Sequence, residues 1–515
     1  MMGSGVSKAF FFKRVDFAFK STYALYALTF ILGIIMRGIP ELLSGKYPVG
    51  YDTITYGANI INLNERSLSE IVPGGPLFYA LMIPLCHLKP YDVFLALKVV
   101  GPVLYGFLSL SFYYFLSKGL GWNAKEGVLC TVLCTVQIVT LRISWDLFRN
   151  ELGLIFLFPL LAFLMRNSAN EKLLTTLAIL VALSHPFVSI LMFFIIIAVS
   201  FVKRKSTDTR HLLLPFLPSF LIFILVGIAY LIPLTTPARV LYVQAPPFFV
   251  KYSPAIIALY AIALILFCYG HLLPFILMGL RKDLVVSCMV VALCIGTLYS
   301  LTFALSWTSL SWRRSIILLI FPFMVYAMTG FKKLRLHDKH IKVFALLILV
   351  FSSVGVAYSS GTLPIRKVLS FVTEDKVRSS VSTEPPLANN QDLYFVAQIV
   401  STYIPESIVQ SSIPIEDADD LVASLHWIND NAPENSCLLA EERFYSWALI
   451  FLRKDITIIK YPQYYPPDSA LPIVQEKRFK TVYLVWRGNL VLKGLVRMVA
   501  QGNISVFKLE VSDYV

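Results

Sequence analysis

The segment from Tyr47 to Gly57 (YPVGYDTITYG) contains the residue best suited to acid–base chemistry, Asp52. It follows an apolar run and stands among glycines and tyrosines, its neighbour Tyr51 included. An aspartate in a cleft with little water becomes more basic, because desolvation disfavours its charged form, and it can accept a proton from an attacking hydroxyl. A turn-stabilising role, or capping of a helix that begins at Thr53, explains the same residue without chemistry.

A second polar cluster, Arg142 to Gly153 (RISWDLFRNELG), contains two carboxylates, Asp146 and Glu151. Charged side chains at membrane depth face a cavity or one another. Arg149 can therefore contribute to a site or pair with Asp146 in a simple helix-end ion pair. Carboxylates also bind hard divalent cations, so Asp52, Asp146 and Glu151 form a candidate ligand set for Mg²⁺ or Mn²⁺.

Two further positions offer charge or a titratable ring. Arg313 and Arg314 begin an apolar run, and paired guanidiniums bind phosphate well, although anchoring among lipid headgroups accounts for them equally. His185, in LSHPF, lies at the turn between two apolar segments, where a structural role is the simpler interpretation.

The composition determines which elements must position these residues. Hydrophobic residues make up 57% of the 515 residues, charged residues only 15%, and the mean hydropathy is +0.70. Soluble domains carry about 25% charged residues, so a soluble enzyme, a disordered chain and a secreted disulfide scaffold are excluded. The net charge of +14 comes from basic residues between apolar runs. The positive-inside rule explains this pattern better than nucleic-acid binding does.

The apolar runs predict about 11 transmembrane helices over residues 1–360, each near 20 residues. The N-terminus is expected in the cytoplasm, because this places the basic cluster Lys203-Arg204-Lys205 inside. Residues 76–88 are too short to span and are expected to lie in the outer interface. The predicted spans are 18–40, 95–116, 127–144, 150–165, 172–184, 187–202, 212–233, 254–279, 284–305, 315–331 and 342–359.

Beyond residue 360 the composition changes. A polar linker over 361–392 leads to a predicted extracytoplasmic α/β domain over 393–515. A helix is expected over 417–431, and short strands over 437–440, 456–460, 482–486 and 505–509.

These features together resemble the GT-C superfamily of integral membrane glycosyltransferases. The resemblance covers about residues 1–360 and rests on Asp52 in the first outer loop, the element Gly-Gly-Pro76-Leu-Phe-Tyr79 and the acidic cluster from Asp146 to Glu151. The WWDYG signature of the oligosaccharyltransferase catalytic subunit is absent from the sequence, which places that enzyme at a distance.

The resemblance implies an inverting transfer of sugar from a polyprenyl-phosphate carrier to an acceptor glycan, lipid or protein on the outer face of the cell membrane. It implies that Asp52 is the catalytic base and that Arg313 or Arg314 holds the donor phosphate. The remaining candidate substrate-binding residues are Tyr51, Asp146, Arg149, Glu151 and His185. The alternatives are a transporter or flippase of a lipid-linked substrate and a non-catalytic membrane scaffold with an outer binding domain.

Overall fold

The fold is taken from a computed structural model of the chain. It describes residues 22–63, 75–166, 170–203, 213–231, 239–243, 254–280, 283–303, 312–333, 343–344, 347, 351, 411–462, 467–488 and 495–509.

The helices of the membrane part coincide with the predicted spans from 18–40 to 315–331, whereas 342–359 lies largely outside the described residues. Two additional short helices, α2 and α3, occupy the connection between residues 44 and 89. We keep the names first outer loop for this connection and outer domain for the C-terminal sheet, after the locations that the sequence predicts for them. The helices are α1 (Thr22–Leu43), α2 (Thr53–Ile61), α3 (Pro76–Met82), α4 (Pro90–Tyr114), α5 (Ala124–Thr135), α6 (Ile138–Asp146), α7 (Phe148–Arg166), α8 (Glu171–Ser184), α9 (Pro186–Lys203), α10 (Leu217–Leu231), α11 (Pro254–Tyr269), α12 (Leu273–Gly279), α13 (Leu284–Phe303), α14 (Trp312–Leu318) and α15 (Ile320–Lys333).

Fewer of these helices than expected are long enough to cross a membrane by themselves. Within the described residues, four helices meet the length and hydropathy of a span, or up to six if each bent pair counts as one. The pairs α5–α6 and α11–α12 bend by 65° and 87° at their breaks. The predicted number of about 11 therefore stays a prediction.

The short helix α3 continues into a 3-10 turn, Ile83–Leu85, and the two match the predicted interfacial segment. Pro76 occupies its first turn, where the missing N–H costs no helical hydrogen bond. Leu81 and Ile83 are 54% and 52% exposed, as expected for side chains that rest on lipid.

Helices α1 and α4 approach closely because glycines lie at their contact. A Cβ at Gly33 would stand 2.7 Å from the carbonyl oxygen of Tyr105, and a Cβ at Gly106 would stand 2.9 Å from that of Phe30. Small residues at such a contact bring two backbones together and increase dispersion contacts. This packing fixes the end of α1 from which the first outer loop departs.

A buried ion pair at the end of α1 holds the beginning of that loop. Arg37 and Glu41 are one helical turn apart and join through Nη1 and Oε1 at 2.6 Å. Arg37 Nη2 also donates to the carbonyl of Val49 at 2.9 Å, and the Val49 amide donates to Glu41 Oε2 at 3.0 Å. The two buried charges thus pair with each other, and each also forms a hydrogen bond with the backbone of Val49 in the loop.

The C-terminal part forms a six-stranded sheet of order β1-β3-β2-β4-β6-β5, parallel from β1 to β4 and antiparallel thereafter. Its helices are α16 (Ala418–Asn431), α17 (Glu442–Phe451) and α18 (Leu471–Lys477). Its strands are β1 (Val240–Tyr242), β2 (Ser436–Glu441), β3 (Thr457–Tyr461), β4 (Thr481–Arg487), β5 (Leu495–Gln501) and β6 (Ile504–Leu509).

The predicted helix and the four predicted strands are present in this sheet domain, each within two residues of its expected ends. Two strands were not predicted. Strand β5 carries mostly half-exposed side chains, so its sequence lacks a buried pattern. Strand β1 comes from the loop between α10 and α11, and it extends the outer sheet by pairing with β3. The outer sheet is therefore not built solely from residues 393–515.

The outer domain rests on the first outer loop through an aromatic contact. Trp447 of α17 is 3% exposed and packs edge-to-face on Tyr47, with ring centroids 5.1 Å apart. Thr55 Oγ1 lies 2.8 Å from Ser446 Oγ, and the Tyr47 hydroxyl donates to Asp419 Oδ1 at 2.8 Å. Helix α17 is thereby held against α2, directly beyond Asp52.

We expect Trp447→Ala to lower the free energy of unfolding by about 3–5 kcal/mol, since it removes a buried aromatic side chain and leaves a cavity. Thermal unfolding of the purified chain in detergent measures this effect. Glu476→Ala, at a side chain that is 70% exposed, is the matched control and should change little. Equal melting temperatures for the two variants would contradict this account of the docking.

Candidate active site

The loop that carries Asp52 is held by a carboxylate from another helix. Asp146, the last residue of α6, accepts the backbone N–H of Tyr51 at 2.6 Å and that of Asp52 at 3.2 Å through Oδ1. Its Oδ2 forms an ion pair with Arg142, one turn earlier. A buried carboxylate that accepts two amides and pairs with a guanidinium fixes backbone position strongly. Asp146 therefore positions the Asp52 loop.

Gly50 permits this close approach. Its φ of +136° is a conformation that other residues rarely adopt, and a Cβ there would stand 2.0 Å from the carbonyl oxygen of Trp145. Thr53 Oγ1 donates to that same carbonyl at 2.8 Å. The loop thus packs backbone to backbone against the end of α6, which explains why a glycine precedes Tyr51-Asp52.

Arginines of three helices act electrostatically on the Asp52 side chain. Burial raises the pKa of Asp52 above its ordinary value, and the positive charges of Arg314, Arg142 and Arg149 oppose that rise. Asp52 precedes the first residue of α2 but makes no side-chain cap hydrogen bond to that helix. The Asp52 side chain therefore does not cap α2, which was one of the roles that the sequence left open.

Arg149 does not pair with Asp146, contrary to one of the two interpretations of the cluster. A break at Leu147 separates α6 from α7, and Arg142 takes the Asp146 carboxylate instead. The Arg149 guanidinium lies 5.7 Å from the ring centroid of Tyr56 and 5.9 Å from that of Tyr79. Burial raises the pKa of Tyr56 to about 12, although Arg149 lowers it. Both aromatic residues orient Arg149 beside Asp52.

His185 joins the same group from the turn between α8 and α9. It is 3% exposed, and its Nδ1 accepts the backbone N–H of Phe187 at 3.1 Å. In a neutral ring this leaves the proton on Nε2. Arg149 and Arg314 both act electrostatically on this imidazole. The histidine thus begins α9 structurally and adds a ring to the arginine cluster.

The two arginines at the start of α14 have different neighbours. Arg314 acts on Asp52, whereas the Arg313 guanidinium lies 5.4 Å from the ring centroid of Tyr260 on α11. Arg142 interacts electrostatically with Arg313 and with Arg314. Arg314 is therefore the member of the predicted phosphate-binding pair that acts most strongly on Asp52.

Glu151 does not join the Asp52 group in the way the sequence suggested. It is fully buried on α7, and its charged neighbour is Arg37 of α1. Among the described residues, no three His, Cys, Asp or Glu side chains gather as metal ligands. The predicted ligand set Asp52, Asp146 and Glu151 is therefore not assembled, because Asp146 binds the loop backbone and Arg142 while Glu151 faces α1.

The outer domain contributes residues that the sequence did not single out. Glu442 at the start of α17 acts electrostatically on both Tyr51 and Asp52, and Arg443 and Glu441 act on Tyr51. The only sequence signal was their place directly after a predicted strand, where parallel sheets commonly present binding residues. Nothing in a single sequence shows that this strand end faces the first outer loop.

Comparison with known proteins gives no matching family model and no matching curated protein. Among solved structures, the chain is similar to the arabinofuranosyltransferase AftD from Mycobacteria, with a TM-score of 0.46 and 10% sequence identity. The similarity covers 92% of this chain and 39% of that one, so the chain spans well under half of that protein's length. A likeness at this level does not assign a function.

We expect Gly50→Ala to destabilise the protein by about 1–3 kcal/mol or more, because its Cβ has no room beside Trp145 and the backbone conformation is strained. Thermal unfolding measures the loss. Gly38→Ala on α1 is the control, since its Cβ would meet nothing within 4 Å. If the two alanine variants unfold at the same temperature, the loop does not pack as described.

Proposed function

We propose that the chain is an integral membrane glycosyltransferase. It transfers a sugar from a polyprenyl-phosphate donor to an acceptor hydroxyl or amide on the outer face, with inversion at the anomeric carbon. Asp52 is the general base. The polyprenyl chain keeps the donor phosphate at headgroup depth, and the helix ends that carry the arginines suit that depth.

One observation carries the proposal: the half-buried carboxylate of Asp52 is under the electrostatic influence of Arg314, Arg142 and Arg149, and of these Arg142 is also paired with Asp146. The excess of positive charge suits a phosphate, and guanidiniums bind phosphate oxygens in pairs. The raised pKa of Asp52 suits proton acceptance. The same place thus provides a base for one reactant and an anion site for the other.

The transfer needs from the protein only a proton acceptor and groups that stabilise the phosphate. The hydroxyl oxygen, or the nitrogen of an amide acceptor, forms a bond to the anomeric carbon while the bond from that carbon to the phosphate oxygen breaks. The acceptor proton passes to the Asp52 carboxylate, and the electron pair of the broken bond remains on polyprenyl phosphate. Arg149 and Arg314 stabilise the charge that develops there, which is the larger part of such catalysis in a water-poor site.

Asp52→Asn should reduce transfer by about 10²–10⁴-fold, because the amide keeps the shape but cannot take the proton. The measurement is transfer of radiolabelled sugar from polyprenyl-phosphate donors in membranes. Asp92→Asn, at an exposed residue of α4, is the control and should keep full activity. Unchanged turnover in the Asp52 variant excludes it as the base.

The pH dependence tests the electrostatics of the same carboxylate. The base must be ionised, so activity is present above the Asp52 pKa and is lost as pH falls through it. Arg314→Gln removes the strongest positive influence on Asp52, so the acidic limb of kcat/KM should move to higher pH, whatever happens to its height. Arg313→Gln should move the limb less. A limb that stays in place, or moves to lower pH, contradicts the assignment.

The proposed sidedness puts the N-terminus in the cytoplasm and the sheet domain outside. In a variant without the seven native cysteines, an impermeant maleimide should label Lys46→Cys from outside but leave Arg204→Cys unlabelled. The reverse labelling pattern would place Asp52 and the arginines that act on it on the cytoplasmic face, away from the proposed acceptor.

A transporter of a lipid-linked substrate is the second candidate, because transporters place binding sites at broken helices and two bent pairs occur here. Proteoliposomes distinguish the two functions. A transferase forms product without moving donor between leaflets, whereas a flippase moves donor without forming product.

A further inference from the structure

The parallel strands of the outer sheet end next to the Asp52 loop. Strands β1, β3 and β2 finish at Tyr242, Tyr461 and Glu441, and α17 begins immediately after β2. Crevices outside the carboxyl ends of parallel strands are common ligand sites. We call the group Tyr242, Glu441, Glu442, Arg443, Tyr445, Lys460 and Tyr461 the strand-end group.

The polar members of the strand-end group are ordered by one another. Arg443 binds Glu441 through two hydrogen bonds of 2.8 Å each. Lys460 Nζ donates to Glu442 Oε1 at 3.0 Å. Glu442 remains 45% exposed at its side chain and Arg443 27%, so both are accessible to a ligand and have fixed geometry. Such pairs present carboxylate oxygens and guanidinium N–H groups with little left to immobilise.

The group also has an aromatic face. The hydroxyl oxygens of Tyr242 and Tyr445 are 3.2 Å apart, and their ring centroids are 6.2 Å apart. Lys460 Nζ lies 5.0 Å from the Tyr445 ring centroid. Tyr242 is 43% exposed although it ends a strand of the sheet. An exposed phenol ring beside fixed charges offers an apolar surface and a hydroxyl to the same ligand.

A buried hydroxyl without a partner lies at the same strand ends. Tyr461 is 0% exposed, and among the described residues its hydroxyl has no hydrogen-bond partner. It stands in register with Glu441 on the neighbouring strand and interacts electrostatically with Glu441 and Arg443. Buried polar groups are nearly always satisfied. The orphan hydroxyl therefore indicates a ligand or water at this place.

The strand-end group approaches the base from the outer domain, while the arginines belong to the membrane helices. Glu442, Arg443 and Glu441 all act on Tyr51, and Glu442 acts on Asp52 itself. The helices on one side of Asp52 thus contribute guanidiniums, whereas the strand-end group combines two carboxylates, each paired with a cation, with exposed and buried phenols. The two sides suit different reactants.

We propose that the strand-end group binds a carbohydrate acceptor and presents its hydroxyl to Asp52. This inference rests on the proposed function and adds the class of acceptor. Carboxylates and a guanidinium match closely spaced hydroxyls, and the tyrosine rings match the C–H face of a sugar. A peptide acceptor would instead be held by main-chain pairing at a free strand edge. Among the described strands of this group only the three-residue β1 lies at an edge, since β2 and β3 are paired on both sides, so peptide binding is an outcome that the test includes.

The test measures binding rather than turnover. The full chain in lipid nanodiscs, which contain no sugar detergent, is mixed with the methyl glycosides of glucose, galactose, mannose and arabinose. Saturation-transfer NMR reports which of them contact the protein. We expect at least one glycoside to receive saturation from the protein. Glu442→Gln and Tyr242→Ala should each weaken the binding of that glycoside about threefold or more, the scale of one lost hydrogen bond or ring contact.

A control variant makes the outcome decisive. Glu434→Gln, an exposed residue before the amino end of β2, should bind the glycosides like the wild type. The measurement needs neither donor nor turnover, which separates this test from that of the proposed function. The proposal is overturned if no glycoside receives saturation or if the two strand-end variants bind like the wild type. It is also overturned if the peptide acetyl-Ala-Asn-Ala-Thr-amide receives saturation in place of the sugars.

Discussion

The Asp146 carboxylate joins three parts of the molecule that the chain keeps far apart. It ends α6, pairs with Arg142 and accepts the amides of Tyr51 and Asp52. Without this acceptor the loop amides would be buried and unsatisfied, which costs about 1–3 kcal/mol for each group. The close packing at Gly50 and the placement of Asp52 among the arginines both depend on the same contact. Asp146 thus acts through the loop it holds, whereas Asp52 is the residue proposed to take the proton.

The sequence predicts the elements well and the contacts between them partly. Apolar runs predict the membrane helices, since lipid demands about 20 apolar residues per span, but hydropathy does not reveal the bends within the runs 127–144 and 254–279. The sequence also indicates Asp52, Arg149, Arg314 and His185, which the structure brings together. One of the two interpretations of the sequence pairs Arg149 with Asp146, whereas the structure pairs Asp146 with Arg142. Glu151 has Arg37 as its charged neighbour. The break at Leu147 changes which side chains share a face. The roles of Arg37 and Glu442 depend on tertiary packing alone.

The outer domain is tied to the membrane part at two levels. Strand β1, from the loop between two membrane helices, extends the outer sheet, and Arg239 just before it donates to the carbonyl of Leu449 at the end of α17 at 2.9 Å. Trp447 and Ser446 of the same helix contact the Asp52 loop. The start of α17 is therefore fixed relative to the base from both directions. These contacts hold the charged and aromatic strand-end group on one side of Asp52 and the arginines of the membrane helices on the other.

The proposed function requires above all that a phosphate binds among the arginines that act on Asp52. A cryo-EM map of the full chain with polyprenyl phosphate would show where the phosphate lies. We expect phosphate density in contact with Arg149 and Arg314, with the prenyl chain leading into lipid and Asp52 facing the phosphate. Phosphate density at any other helix end, with these arginines unchanged, would refute the proposed site.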